Sequence, residues 1–196
     1  MSKPDINRLI ELEKMLLRFR DIERKVHLPD HLDQFENDVE HSYTLAMVSW
    51  YLSSFYEDLD RDKIIRYALV HDLVEIHAGD TFPYGDPKHL ATKHDREAAA
   101  QKQLRNDWPD FSDMNDSIEG YESRQTREAK FVYAVDKILP TILNLLGKGH
   151  GWRVHNIALQ DVLNEKESKA RVSPEIYAVY EQLAEILKQN SDLFPA

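Results

Sequence analysis

The stretch HDLVEIHAGD, residues 71–80, follows directly on the apolar run IIRYALV at 64–70. Ile64, Ile65, Ala68 and Leu69 recur at three- and four-residue intervals, which predicts a helix starting around Asp60 to Asp62 and running through Leu73 and Val74. His71 and Asp72 therefore stand at a helix end, where adjacent side chains can reach one point in space. Glu75 follows His71 by four residues and Asp72 by three, which puts it on the same side as that pair. Gly79 ends the helical pattern. The segment 77–95 beyond it holds Gly79, Gly85, Pro83 and Pro87 and reads as a long loop, a kind of segment that in a compact domain is usually functional or disordered.

The rest of the chain also reads with helical spacing. Ile6, Leu9, Ile10, Glu13 and Leu17 trace a first helix, with Leu12, Met15 and Leu16 widening its apolar stripe. Residues 27–37 are polar, contain Pro29 and read as a loop. Asn37 or Asp38 is a suitable N-cap for the next helix, which carries Val39, Leu45, Ala46, Val48, Leu52, Phe55 and Tyr56. Helix resumes at 96–100, breaks around 108–110, and returns as a long element over about 125–146 that stops at Gly147-Lys148-Gly149. Helices over about 152–166 and 174–190 close the chain, the last with Ser173 as cap and Pro174 in its first position. With no repeat, no low-complexity tract and no linker, the expectation is one all-α, bundle-like domain over 1–196. Its core spans about 10–150, and helices over about 152–190 pack on it.

Composition narrows the function. The 196 residues include 35 acidic and 25 basic side chains, a formal net charge of −10, with 42% hydrophobic residues. That is a globular balance, and it argues against a nucleic-acid polymer as partner, since such binders need a basic stripe to displace counterions. A small phosphate ester needs only local positive charge. The absence of cysteine excludes a disulfide framework, a thiolate zinc site and a cysteine nucleophile. No apolar run approaches the roughly 20 residues of a membrane helix, and MSKPDINRL lacks the apolar core of a signal peptide. A cytoplasmic address is expected.

Two further residues join the 71–80 stretch. His41 lies 30 positions before His71, near the start of its own helix, and Asp136 lies 64 positions after Asp72 in FVYAVDKILP. Asp136 sits among Phe131, Val132, Val135, Ile138 and Leu139, where an unpaired carboxylate is costly to bury. Pro140 cannot donate to the carbonyl of Asp136, so the helix should bend there. Two imidazoles and two carboxylates suit a divalent first-row metal with positions left open. Each piece also has a plain reading: a helix-end histidine favoured by the dipole, a hydrogen-bonded core histidine, or Asp136 paired with Arg127 or Lys137.

His41, then His71-Asp72, then Asp136, on an all-α background, resembles the HD-domain metal-dependent phosphohydrolases over roughly residues 10–150. EHS at 40–42 and HDLVEIHAGD at 71–80 resemble more narrowly the single-domain branch containing the 5′-deoxynucleotidases. The resemblance implies one divalent ion (Mn, Co, Fe, Zn or Mg) held by His41, His71, Asp72 and Asp136. It implies hydrolysis of nucleoside 5′-monophosphates, deoxy or ribo, to nucleoside and phosphate by a water activated at the metal. Glu75 would handle the proton of the attacking water, and Asp80 would hold the substrate sugar or assist proton transfer. An arginine before the first metal histidine orients phosphate in that branch. Arg24, in DIERK, is the best match, with Arg20 and Arg18 as alternatives. Lys25 stands where related sequences often carry an aromatic residue. Thr81, Phe82 and Pro83 are expected to line the substrate site, with Phe82 or Tyr84 covering a base.

Three rival readings remain open at this level. Phosphodiesterases of the same fold use two metals and extra histidines, for which His77, His89 and His94 lie in the right interval but read as solvated loop residues. Pyrophosphohydrolases acting on a signalling nucleotide carry HDxxED, whereas Glu75 is followed by Ile76. A metal-stabilised binding module without turnover would keep the same ligands. Trp50, Tyr51, Trp152 and Tyr177 fit either the core or a homodimer interface.

Overall fold

Asp5 accepts a hydrogen bond from the Asn7 amide and so caps α1 (Ile6–Arg20), where the region described by the computed structural model, residues 5–195, begins. Residues 1–4 and 196 of the expected domain lie outside the described residues. After α1 come β1 (Glu23–Leu28), β2 (His31–Asn37), α2 (Asp38–Ser53), α3 (Arg61–Val70), α4 (Glu75–Ala78), α5 (Pro87–Ala91) and α6 (Lys93–Asp107). Then follow α7 (Ser112–Glu122), α8 (Arg127–Leu146), α9 (His150–Val154), α10 (Leu159–Ala170), α11 (Pro174–Gln189) and a short 3₁₀ turn at Ser191–Leu193. Among the described residues the architecture is all-α apart from one hairpin. No described helix is long and apolar enough to cross a membrane.

Local chemistry sets the elements that matter for the site. Asn37 caps α2 in a reciprocal box: its side chain accepts from the Val39 and Glu40 amides while Glu40 accepts from the Asn37 amide. Asp60 caps α3 by accepting from the Lys63 amide. Gly79 takes φ +72°, a conformation that costs other residues, and this lets the chain turn sharply after α4 into Asp80.

The packing places α8 at the centre. Ala129, Phe131, Val132, Ala134, Val135 and Ile138 are fully buried, with α2 and α3 packed on α8 and α10 and α11 packed on it as well. A second apolar cluster joins α1, α4, α6 and α7 through Met15, Phe19, Leu73, Leu104, Trp108 and Ile118. Tyr67 and Ala68 belong to the first cluster while Leu73 and Val74 belong to the second, so His71-Asp72 lies at the seam between them. At Gly120, a Cβ would fall 2.5 Å from the Tyr67 hydroxyl, so that glycine is what lets α7 approach α3 this closely.

Several expectations need correction. The loop expected over 27–37 is mostly a β-hairpin: β1 and β2 pair antiparallel in the register Glu23↔Asn37, His27↔Phe35 and Leu28↔His31. Its inward positions are Arg24 and Val26, and a buried arginine hides the apolar alternation that would mark a strand. Helix α7 falls in a stretch where none was expected, because Asn115, Asp116, Ser117 and Gly120 are weak helix formers, although Met114, Ile118 and Tyr121 make a buried stripe. The loop expected over 77–95 contains α4, α5 and the start of α6, so His77, His89 and His94 sit on helices rather than on a loop. The helix expected over about 152–166 divides at 155–158 into α9 and α10, and α8 continues as helix through Pro140. On α1 the apolar stripe is turned: Met15 and Phe19 are buried whereas Ile6, Leu9, Ile10, Leu16 and Leu17 are exposed. Trp152 stacks on Phe194 inside the core, whereas Trp50 and Tyr51 are exposed on α2.

Candidate active site

Four side chains from three places in the chain converge at that seam. His41 projects inward from the second turn of α2, His71 caps the C-terminus of α3, Asp72 follows it, and Asp136 lies midway along α8. One donor atom from each lies within 4.8 Å of the others. Nε2 of His41 is 3.1 Å from Asp136 Oδ1, and Nε2 of His71 is 2.8 Å from Asp72 Oδ2 and 4.0 Å from Asp136 Oδ1.

The outer nitrogen of each imidazole is tied elsewhere. The Nδ1–H of His71 donates to the Ala68 carbonyl at 2.9 Å, which turns the Nε2 lone pair toward the carboxylates. His41 Nδ1 lies 3.2 Å from Glu36 Oε2 on β2. This arrangement, with a carbonyl or carboxylate behind each imidazole, is how proteins orient metal-binding histidines. His71 Nε2 has no well-aligned hydrogen-bond partner despite complete burial. Donors held about 2.1 Å from one ion stand roughly 3 to 4.2 Å apart, so this set fits a small divalent cation.

Arg24 reaches the cluster from β1. Its Nη1 donates to Asp72 Oδ2 at 2.7 Å and to Asp38 Oδ1 at 3.2 Å, and Nε is 3.5 Å from Glu36 Oε2. Arg18 and Arg20 stay on the exposed end of α1, and Arg20 pairs with Asp21. Asp38, Asp72 and Glu75 form a second compact carboxylate group whose cation is Arg24 itself. Burial opposes the Arg24 charge, but Asp72, Asp136 and Asp38 hold its pKa well above the ordinary value.

The carboxylates divide by environment. Burial, and then the charges of Asp72, Asp38 and Asp80, push Glu75 well above the usual carboxylate range. Burial and Asp72 push Asp38 up to about 6, and burial raises Asp80. Asp72 goes the other way: burial is outweighed by His71 and Arg24, and its pKa falls well below the usual range. Asp136 falls too, since the Lys137 charge and the His41 hydrogen bond outweigh burial. An acid prone to carry a proton thus sits beside two held ionised, the separation of roles that acid–base catalysis needs.

Two clefts open from this centre. The first is bounded by Arg24, Lys25, Asp80, Phe82, Pro83 and the α8 face from Asp136 onward. The second runs past His71, Asp72, Thr81 and Lys93. Pro83 and Lys137 border both. Thr81 is buried, and its hydroxyl accepts from Arg96 Nη2 at 2.8 Å, while Arg96 also donates to the Ala78 carbonyl and so ties the turn after α4. Lys25 lies over the Phe35 ring, 4.9 Å from its centroid. His77 pairs with Asp107, and His89 and His94 are exposed, so the histidines of the two-metal reading do not join the centre.

Sequence reasoning missed Glu36, Asp38 and Lys137 as members of this site. In the sequence Asp38 reads only as a helix cap, although it stands three residues before His41. Lys137 reads only as a pairing partner for Asp136, and that pairing is present at 2.6 Å. Arg127, the other such partner, instead joins Asp58 and Glu175.

Comparison with known proteins identifies the family of the chain. The HD domain family matches residues 16–177. The chain is 29% identical over 193 residues to a Xenopus laevis protein named 5′-deoxynucleotidase HDDC2, covering 93% of this chain and 91% of that one. It is 28% identical over 143 residues to the Saccharomyces cerevisiae 5′-deoxynucleotidase YBR242W, covering 70% of this chain and 59% of that one. Its fold is similar to the crystal structure of a predicted metal-dependent phosphohydrolase from Magnetospirillum magnetotacticum. The TM-score there is 0.79 at 28% identity, with 96% of each chain covered.

Proposed function

The chain belongs to the HD domain family and is a metal-dependent phosphohydrolase, and from that premise we propose that it removes the 5′-phosphate from nucleoside monophosphates. The observation that carries the reading is the meeting of His41, His71, Asp72 and Asp136 within 4.8 Å, with Arg24 alongside and two clefts leading in. Those four residues would hold one divalent ion. When bound, such an ion polarises a phosphoryl oxygen and lowers the pKa of water. The donor set suits Mn, Co, Fe or Zn, and Mg less well because two donors are nitrogens.

In this reading the protein's own groups do the rest. Arg24 and Lys137 supply two fixed cations, from β1 and α8, for the phosphate of the substrate. Glu75, buried and prone to hold a proton, takes the proton of the attacking water and passes it toward the leaving ribose oxygen. Asp80, at the mouth of the first cleft, holds the sugar hydroxyl. Thr81, Phe82 and Pro83 shape the wall above it, and Arg96 fixes that wall through Thr81. The raised pKa of Glu75 is what a general acid and base working near neutral pH requires.

We also assign the chain a homodimer built on the exposed faces of α1 and α2, which pack together. Val39, Tyr43, Met47, Trp50 and Tyr51 line the outer side of α2 at helical spacing, and Leu9, Ile10 and Leu17 are exposed on α1. Beyond Glu40 that helix carries no lysine, arginine, aspartate or glutamate. In a chain of net charge −10, a face of α2 without acidic side chains lowers the electrostatic cost of meeting a second copy. The cysteine-free composition fits a cytoplasmic address.

The test is phosphate release from ribo- and deoxynucleoside 5′-monophosphates, with a cyclic dinucleotide and a nucleoside tetraphosphate as controls. Release from monophosphates alone supports the reading. Turnover of only a control would move the activity to the phosphodiesterase or pyrophosphohydrolase class.

A further inference from the structure

The end of α7 holds a residue in a conformation that its side chain disfavours. Arg124 lies just past the Ser123 C-cap at φ +51°, in the left-handed region that glycine or asparagine normally occupies after a helix. A residue with a Cβ is strained there, and such strain persists only where surrounding contacts fix it. A helix stop alone needs no side chain at this position, and glycine would satisfy it without strain.

The contacts that fix Arg124 lie on two tyrosines. Its guanidinium carbon stands 3.8 Å from the centroid of the Tyr121 ring on α7 and 4.5 Å from that of Tyr133 on α8. Its Nη1 donates to the Tyr121 carbonyl at 2.8 Å, and Nη2 lies 3.9 Å from Glu122 Oε2. A cation over an aromatic face is attracted by the ring quadrupole, more strongly where water is partly excluded. These side chains line the second cleft together with His71, Asp72 and Lys137.

Each tyrosine leads to a different half of the centre. Tyr121 is 2% exposed, and its ring meets the His71 ring edge to face, with 6.0 Å between centroids at 88°. That contact sets the tilt of the imidazole, whose Nδ1–H is already held by the Ala68 carbonyl. Tyr133 stands one helical turn before Lys137, and the Lys137 ammonium lies 5.3 Å from the Tyr133 centroid. One ring therefore carries both Arg124 and the cation that borders the two clefts.

We propose that Arg124 is a positioning residue for phosphate-ester hydrolysis. It clamps Tyr121 against His71 and Tyr133 against Lys137, so that the metal donor and the phosphate cation keep their relative placement. The proposal rests on the metal-site and nucleotidase readings for what is positioned.

The test measures Mn²⁺ affinity by calorimetry, KM and kcat for dUMP at saturating Mn²⁺, and Tm. It compares the wild type with Arg124→Gly, Tyr133→Leu, Tyr133→Phe and the double variant of Arg124→Gly with Tyr133→Leu. Arg124→Gly should keep a Tm close to that of the wild type, since relief of the left-handed backbone offsets the lost stacking. Its Kd for Mn²⁺ should rise by about tenfold or more, as when the support behind a metal ligand is removed. Its KM should rise by roughly threefold or more, the value of one cation–π contact, with kcat little changed. Tyr133→Leu should raise KM alone, because Tyr121 still backs His71, and Tyr133→Phe should match the wild type because it keeps the ring. The double variant should have a KM no higher than the worse single variant, since both changes break one contact.

Wild-type Mn²⁺ affinity and KM in Arg124→Gly would overturn the clamp, as would a lowered Tm with both constants unmoved, the mark of a merely structural residue. Additive KM effects in the double variant would overturn it too. If Arg124→Gly does not fold, the two Tyr133 variants decide, and an equal KM in both overturns the proposal. Turnover of dUMP by the wild type tests the nucleotidase reading separately. Without that turnover, the Mn²⁺ affinity of Arg124→Gly against the wild type still decides the clamp.

Discussion

Lys137 places its ammonium 2.6 Å from Asp136 Oδ2, while Oδ1 of the same carboxylate faces the His41 imidazole at 3.1 Å. One oxygen of Asp136 is thereby committed to a neighbour on its own helix, and the other is left for the metal centre. The lysine also borders both clefts, so it adds positive charge where a phosphate would enter.

Lys137→Met should therefore keep its metal and lose its substrate. Removing the ammonium makes Asp136 more basic, which favours cation binding, yet takes away one of two fixed positive charges. We expect KM to rise and kcat/KM to fall by about tenfold or more, as for loss of a charged hydrogen bond. Metal content measured by mass spectrometry should be unchanged. Loss of metal in this variant would show instead that Lys137 serves mainly to orient Asp136.

Glu75→Gln separates proton transfer from metal binding. Glu75 donates nothing to the four-residue donor set, so metal content should persist while kcat falls by roughly 10²–10⁴, the usual contribution of a general acid or base. Unchanged kcat with this variant would remove Glu75 from the proposed reaction.

The same carboxylates set the pH response of the metal-free protein. Glu75, Asp38 and Asp80 have raised pKa values when folded, so between their unfolded values and these raised ones the native state binds more protons than the unfolded state. Stability from these groups therefore declines as pH rises from about 4 through 6 and beyond. Asp72 and Asp136, with depressed values, contribute in the opposite sense at lower pH: their stabilisation is complete above about 4 and is lost as pH falls further. Thermal scans should show metal raising the Tm more at pH 7.5 than at pH 5.5. Glu75→Gln should raise the Tm of the metal-free protein at pH 8 by roughly 2–4 °C per kcal/mol recovered. A metal-induced Tm rise that is equal or larger at pH 5.5 would contradict this account of the acidic cluster.

The homodimer is tested by charge. Tyr43→Glu with Trp50→Glu places two carboxylates on the exposed face of α2, 66% and 50% exposed in the single chain. Sedimentation should show a dimer for the wild type and a monomer for the double variant, with intact metal content. A wild type that sediments as a monomer would discard the assignment.

How much was legible in the sequence follows from how each element is built. His71, Asp72, Glu75 and Asp80 share one ten-residue stretch, so their proximity follows from short separation along the chain; the helix expected to run through Leu73 and Val74 stops instead at Val70, and residues 71–74 form turns that lead into α4. The helices bearing His41 and Asp136 were visible because apolar residues repeat along them. The convergence of three helices was not visible in any local pattern; it rested on a resemblance. The hairpin escaped because its inward position is Arg24, a charge that is stable inside only when Glu36, Asp38 and Asp72 surround it. Those partners lie 12, 14 and 48 residues away, beyond the reach of any periodicity. The turned face of α1 escaped for a related reason, since amphipathic spacing shows that a helix has an apolar side but not which partner that side meets.

The central claim is that His41, His71, Asp72 and Asp136 hold a single ion that phosphate release requires. The most direct test strips the protein with chelator, restores Mn²⁺ in steps, and measures bound metal and phosphate release from dUMP together, with Asp136→Ala in parallel. Release should rise in proportion to occupancy, saturate at one ion per chain, and be absent in Asp136→Ala along with the metal. Undiminished release from an Asp136→Ala protein that binds no metal would contradict the account.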